Sequence, residues 1–387
     1  MTKRLSDQEL LGRLVAFDTT SDRTPRGLFD FLEEYLDHPA LRIERMDCGD
    51  DFENMLVECG PPAHDGDGWL LSGHVDTVPA GEPDWDTDPW TLVERDGRLY
   101  GRGACDMKAF DAIAANLLRD RAEAGFDRPL ALLLTHSEEV GTVGAGHFVR
   151  DWDVARPLPR RVVVGEPTSL RPVRGHKGHL KLRFAVAGRP CHTGFPAQGV
   201  NAIEGALPLL RCLAALRAEL VEERTADSSL FPEVPHPVLT IAGIDGGSAI
   251  NVMPERCEVL VGIRLLPGQS SDAILGRLRD ALDAAGVRLA ERPEEGACTM
   301  ELLNETPAFS TPPDDAFLQE VCRVSGHSEA EGVNYGTDAG RLGLIDRRSV
   351  IFGPGDIARA HQANEWMPVD EFERMPVLLG ALLDGSN

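Results

Sequence analysis

The sequence predicts an α/β protein: a mostly parallel central sheet flanked by helices, with a smaller α+β domain inserted into it. Three observations predict it. Before residue 176, short apolar runs alternate with helical patterns, the order of a parallel sheet with helical crossovers. After residue 176 the pattern becomes strict alternation, as in Leu180-Lys181-Leu182-Arg183-Phe184-Ala185-Val186-Ala187, which suits an antiparallel sheet wet on one face. Near the end, an apolar strand (Ser349-Val350-Ile351-Phe352) and an apolar helix return to the first style. The expected domains are therefore 1–179 with 299–387, and an inserted 180–298.

Taken in order, residues 6–36 carry helical periodicity (Leu10, Leu11, Leu14, Val15; then Leu28, Phe31, Leu32, Tyr35), broken by polar turn formers at 16–21. Strands are expected at 41–46, 54–59 and 69–71. Residues 80–102 form a loop, with a hairpin at 95–100 turning on Asp96-Gly97. A helix follows at 109–118, a buried strand at 129–134, a helix at 144–150 and a strand at 161–164. In the inserted part, strands at 180–188, 238–243 and 257–265 are interleaved with helices at 202–223 and 271–285. That β-α-β-β-α order is ferredoxin-like. Helices at 316–324 and 369–383 flank the last strand.

The chain has 387 residues, 42% hydrophobic and 26% charged, with a formal net charge of −24. So acidic a chain argues against nucleic acid or an anionic membrane as partner. Its first residues contain no apolar signal region, and no run approaches the roughly 20 apolar residues of a membrane span. The eight cysteines are scattered without a CxxC pair. They read as reduced thiols of a cytoplasmic protein, not as a disulfide framework or a thiolate zinc site.

The chemistry gathers at strand ends. Trp69-Leu70-Leu71 stops at Ser72-Gly73 and delivers His74 and Asp76, two residues apart and so on one side of an extended chain. Residues 129–134 end at Glu138-Glu139, two carboxylates that repel unless a cation or proton is shared. Val162-Val163-Val164 ends at Gly165-Glu166. Asp106 opens a helix, where an N-cap is the ordinary role for it. His361 lies in a polar loop after the last strand. Strand tips of one sheet converge on one crevice, and a mixed set of imidazoles and carboxylates suits zinc, cobalt or manganese.

These segments, in this order, resemble the M20 family of dinuclear zinc amidohydrolases and peptidases. The resemblance is carried by Ser72-Gly73-His74-Val75-Asp76, Gly103-Ala104-Cys105-Asp106-Met107-Lys108, Glu138-Glu139, Gly165-Glu166-Pro167-Thr168, Asn251-Val252-Met253-Pro254, Ile263-Arg264-Leu265 and the His361 loop. The run from Gly165 to His179, with Asn334-Tyr335-Gly336-Thr337-Asp338-Ala339, resembles the acetylornithine deacetylase group within it. The resemblance implies a zinc-peptidase-like catalytic domain and a smaller dimerisation or lid domain. It also implies two Zn²⁺ per subunit, with Co²⁺ or Mn²⁺ as substitutes. His74 and Glu166 would hold one metal, Glu139 and His361 the other, with Asp106 bridging. Asp76 would fix the His74 tautomer, and Glu138 would be the general base toward a metal-bridged hydroxide. His192 would donate to the oxyanion of the partner subunit's site, which implies a homodimer. Arg264 and Asn251, then Lys177, Thr337 and Gly353, would hold the substrate. Gly262 stands where relatives carry an Asp, two residues before Arg264. The implied reaction is deacetylation of N2-acetyl-L-ornithine in arginine biosynthesis. The alternatives are the same chemistry on acetylcitrulline, succinyl-diaminopimelate or a dipeptide.

Overall fold

A computed structural model describes residues 3–64 and 66–385; the first two residues of the N-terminal segment read above lie outside the described residues. The chain divides into two compact units. One comprises 1–175, 310–332 and 337–387, and the other 176–309 and 333–336.

The larger unit is built on a mixed sheet with the strand order Leu41–Gly49, Phe52–Cys59, Leu130–Thr135, Trp69–His74, Arg161–Val164, Arg348–Ile351, Val173–His176. The strand Trp69–His74 runs parallel to both neighbours, and Arg348–Ile351 runs parallel to Arg161–Val164. Only the outer strands are antiparallel: Leu41–Gly49 on Phe52–Cys59, Phe52–Cys59 on Leu130–Thr135, and Val173–His176 on Arg348–Ile351. Every residue of Trp69–His74 and Leu130–Thr135 is buried, as expected for strands covered on both faces. The helices Asp7–Val15, Lys108–Glu123 and Val369–Asp384 press their apolar faces into one core cluster with Leu71, Leu132 and Leu134. Each such leucine contributes about 1.5–3 kcal/mol when fully buried. The first helix begins with a capping box, in which Ser6 Oγ accepts from Glu9 N and Glu9 accepts from Ser6 N.

The smaller unit is an antiparallel sheet in the order Val238–Gly246, Arg256–Leu265, Gly178–Ala187, Cys298–Thr306, with the helices Ala202–Val221 and Ser271–Ala284 packed on it. Along Gly178–Ala187, buried residues alternate strictly with half-exposed ones. The sequence reading did not anticipate the fourth strand. Cys298–Thr306 buries mainly its two ends, so its pattern lacks alternation. With that strand included, residues 176–179 and 299–309 cluster with the smaller unit.

Candidate metal centre

The parallel strands end on one level and hand their polar residues to a common cluster in the larger unit. His74 is the last residue of its strand and 1% exposed. Its Nδ1 lies 3.1 Å from the Asp76 carbonyl oxygen and 3.5 Å from Asp76 Oδ1, while its Nε2 lies 3.1 Å from Asp106 Oδ1. Asp106 is not a helix cap. The helix starts at Lys108 without a side-chain cap, and the Asp106 carboxylate turns to the imidazoles. Its other oxygen, Oδ2, lies 3.2 Å from His361 Nε2. The same Nε2 lies 2.9 Å from Glu139 Oε2. Ligand atoms of His74, Glu138 and Glu166 fall within 4.8 Å of one another, as do those of His74, Asp106 and Glu139.

The electrostatics are those of a site short of positive charge. Burial alone would raise the Asp106 carboxyl, but hydrogen bonds to His361 and His74 outweigh it and hold it below the usual range. Burial and the neighbouring Asp106 raise Glu139 to about 7 and Glu166 well above the ordinary carboxyl value. Burial and Glu166 raise Glu138 in the same way. Hydrogen bonds to Asp106 and Glu139 raise His361 to about 10. Carboxylates that repel each other this strongly, with imidazoles aimed among them, are a donor set that a divalent cation relieves. An N/O set of this kind fits zinc, cobalt or manganese.

The contacts of Asp76 reach beyond His74. Asp76 is 2% exposed and accepts hydrogen bonds from Ser21 Oγ (2.6 Å), Glu138 N (2.9 Å) and Glu139 N (3.3 Å). It therefore fixes the turn that presents both glutamates, and is a positioning residue. Two other parts of this frame escaped the sequence reading. Glu365 Oε1 accepts from Cys105 N (2.8 Å) and Asp106 N (3.1 Å), and Glu365 Oε2 pairs with Arg102 Nη1 at 2.8 Å; both Glu365 and Arg102 are 1% exposed. An arginine between two glycines, directly before the apolar Ala104-Cys105, was the available signal. Asp338 is buried, accepts from Thr135 Oγ1 at 2.6 Å, and is raised by burial to about 6. Cys105, beside Asp106, donates to the Asp356 carbonyl, and burial pushes its thiol far up.

Glycines allow the close packing behind the cluster. A Cβ on Gly165 would stand 1.9 Å from Phe110 Cγ, and one on Gly353 would stand 2.2 Å from the Gly165 carbonyl oxygen. Gly353 thus supports the Glu166 turn by close backbone approach. Thr337 is fully buried, and its Oγ1 accepts from Ala339 N.

The remaining predicted residues belong to the smaller unit. His192 is exposed, its Nδ1 accepting from Gly194 N at 3.0 Å; its loop is tied to the Asn251 loop by Thr193 N donating to Asn251 O at 3.2 Å. Lys177 Nζ is spent on the carbonyls of Val234 (2.6 Å) and His236 (3.1 Å). Arg264 is half-buried in its strand, and its guanidinium makes no hydrogen bond or ion pair among the described residues. Gly262 leaves room that His179 occupies: a Cβ there would lie 3.0 Å from His179 Nε2.

This is a hydrolase fold with a carboxylate-rich metal centre candidate. The chain belongs to peptidase family M20/M25/M40, whose model matches residues 70–384. Its fold is similar to that of an M20 metallo-carboxypeptidase, Sso-CP2, from Sulfolobus solfataricus (TM-score 0.76, 16% identity, 98% of this chain and 99% of that one). It is also similar to aminopeptidase PepT from Bacillus cereus (0.70, 20%, 97% and 98%). A third is the Bacillus subtilis YXEP protein, described as a dinuclear metal binding peptidase of the M20 family (0.64, 13%, 97% and 96%). No helix among the described residues is long and apolar enough to cross a membrane.

Proposed function

We propose that the protein is a metal-dependent amide hydrolase that deacetylates N2-acetyl-L-ornithine to L-ornithine and acetate, in arginine biosynthesis in the cytoplasm. One observation carries the metal reading: the two oxygens of Asp106 diverge to two different imidazoles, His74 and His361. In this reading His74 with Glu166, and His361 with Glu139, would hold two zinc ions, with Asp106 shared. When bound, the ions would supply Lewis acidity and make water available as a nucleophile near neutral pH.

The chain's own groups do the rest. Glu138 takes a proton from the attacking water and returns it to the leaving amine, the exchange a carboxyl with a raised pKa performs well. Asp76 holds Glu138 in register through its backbone amide. Arg264, a half-buried guanidinium without a protein anion, is suited to the substrate α-carboxylate; Asn251 and Lys177 would be further substrate contacts, Lys177 only on leaving the Val234 and His236 carbonyls. Thr337 and Gly353 would line the substrate's acyl or carboxylate pocket. His192 would donate to the oxyanion from the partner subunit of a homodimer; such a donor is worth roughly 3–4 kcal/mol in the transition state.

A second reading is dipeptide hydrolysis by the same residues, favoured by structural neighbours whose names are those of peptidases. The experiment is a kinetic comparison of acetylornithine, acetylcitrulline, succinyl-diaminopimelate and a dipeptide on zinc-loaded protein. We expect the highest kcat/KM for acetylornithine. Turnover of the dipeptide with none of acetylornithine would overturn the substrate assignment and leave the chemistry standing.

A further inference from the structure

A second cluster of metal-ligating side chains lies in the larger unit, apart from the carboxylates. Ligand atoms of Cys48, His136 and His147 lie within 4.8 Å of one another. They come from three elements. Cys48 sits at a bulge: Asp47 pairs with Glu53 and Gly49 with Phe52, which leaves Cys48 as the extra residue. Bulges re-aim a side chain. His136 follows the strand Leu130–Thr135, and His147 lies on the helix Val143–Asp151.

The His136 position is held from both sides. Its N donates to Asn54 Oδ1 (3.2 Å), its carbonyl accepts from Gly144 N (3.0 Å), and Asn54 Nδ2 donates to the Gly144 carbonyl (2.8 Å). A Cβ on Gly144 would stand 2.3 Å from His136 O, so the helix start is locked to this residue. The ring is 2% exposed, with Nδ1 2.9 Å from Ser137 Oγ, which leaves Nε2 buried without a partner. His147 Nδ1 is likewise buried without a partner, and the two rings lie 5.5 Å apart. A buried nitrogen left unpaired costs about 1–3 kcal/mol. Two such ring nitrogens beside a thiol can each offer a lone pair, and each lacks a donor or a cation to receive it. Burial, reinforced by His147, lowers His136 to about 4, and burial followed by Arg150 lowers His147, both in the direction of the neutral imidazole that ligates a metal.

We propose that Cys48, His136 and His147 form a transition-metal site of the zinc type, distinct from the carboxylate cluster. A tetrahedral ion with bonds of about 2.1–2.3 Å sets its ligand atoms roughly 3.5 Å apart, within reach of small rotamer changes here. On binding, the Cys48 thiol releases its proton to solvent and the thiolate bonds the metal. The two imidazoles each supply a lone pair, and water takes the fourth position, with no change of oxidation state. The sulfur and nitrogen donors favour zinc or cobalt over hard cations. The ion clasps the bulged strand, the segment leading into Glu138 and the helix behind it.

The test is a Co²⁺ titration of the full-length metal-free protein, with Cys48→Ser and His147→Gln alongside. Wild type is expected to develop a thiolate-to-cobalt charge-transfer absorption in the near ultraviolet. Both variants should lose it and retain about one equivalent less zinc, with amide hydrolysis unchanged. The band reports sulfur ligation, so it does not depend on the carboxylate cluster, whose donors are nitrogen and oxygen. Absence of the band in wild type, or its survival in Cys48→Ser, would overturn the proposal. His147→Gln lies on a half-exposed helix face and keeps the test decisive if Cys48→Ser folds poorly.

Discussion

Replacing Gly165 by alanine perturbs the centre without touching a polar group. The new methyl would lie 1.9 Å from Phe110 Cγ and 2.1 and 2.3 Å from its Cδ atoms. Carbon atoms in contact want about 3.5–4.0 Å, so one partner must move by more than an ångström. Phe110 is 1% exposed on the helix Lys108–Glu123 and cannot swing out. Gly165 cannot retreat either, because Gly353 packs on its carbonyl. Overpacking of this kind costs about 1–3 kcal/mol, and so tight a clash belongs at the upper end. In a unit of this size, about 3 kcal/mol lowers Tm by roughly 6–12 °C. The displacement passes directly to Glu166. If it weakens zinc binding tenfold, the stabilisation by zinc at 100 times the wild-type Kd falls by about 1.3 kcal/mol. Thermal unfolding of metal-free and zinc-loaded Gly165→Ala reads both effects. A variant that melts with wild type and gains as much from zinc would refute this account of the Glu166 turn.

Other parts of the frame give separate predictions. Asp76→Asn puts an amide donor against groups that donate to Asp76, namely Ser21 Oγ and the amides of Glu138 and Glu139. Chelator competition should show metal affinity reduced about 10–100-fold, as for other residues behind a metal ligand; unchanged affinity would remove Asp76 from that role. Arg102→Met leaves Glu365 as an unpaired buried charge and should cost about 3–5 kcal/mol in denaturant unfolding. Adding Glu365→Gln should recover part of that loss, and purely additive losses would deny the coupling.

The parallel strands and the residues at their tips were legible because buried strands leave continuous apolar runs, and the polar residue that stops each run stands out. Trp69–His74, Leu130–Thr135 and Arg161–Val164 all carry that signature. The fourth strand of the smaller unit was not legible, because Cys298–Thr306 is exposed along its middle, Glu301 to Leu303, and carries no period. The local pattern alone gives Asp106 the role of a helix cap, since capping is local, and only the family resemblance pointed to a shared ligand; its turn toward His74 and His361 depends on residues 32 positions before it and far after it. Glu365 gains its role only when the His361 loop folds back on Cys105 and Asp106. The Cys48 cluster joins a bulge, a strand end and a helix, none of which marks the others in sequence.

The central claim is that Glu138 moves the proton for an amide hydrolysis at this carboxylate cluster. It is tested most directly by the turnover number of zinc-loaded Glu138→Gln on the amide that wild type cleaves fastest, with zinc content measured on the same sample. The account predicts wild-type zinc content and a turnover number lower by about 10²–10⁴-fold, the range of a lost general base. A zinc-replete Glu138→Gln enzyme that turns over at the wild-type rate would contradict it.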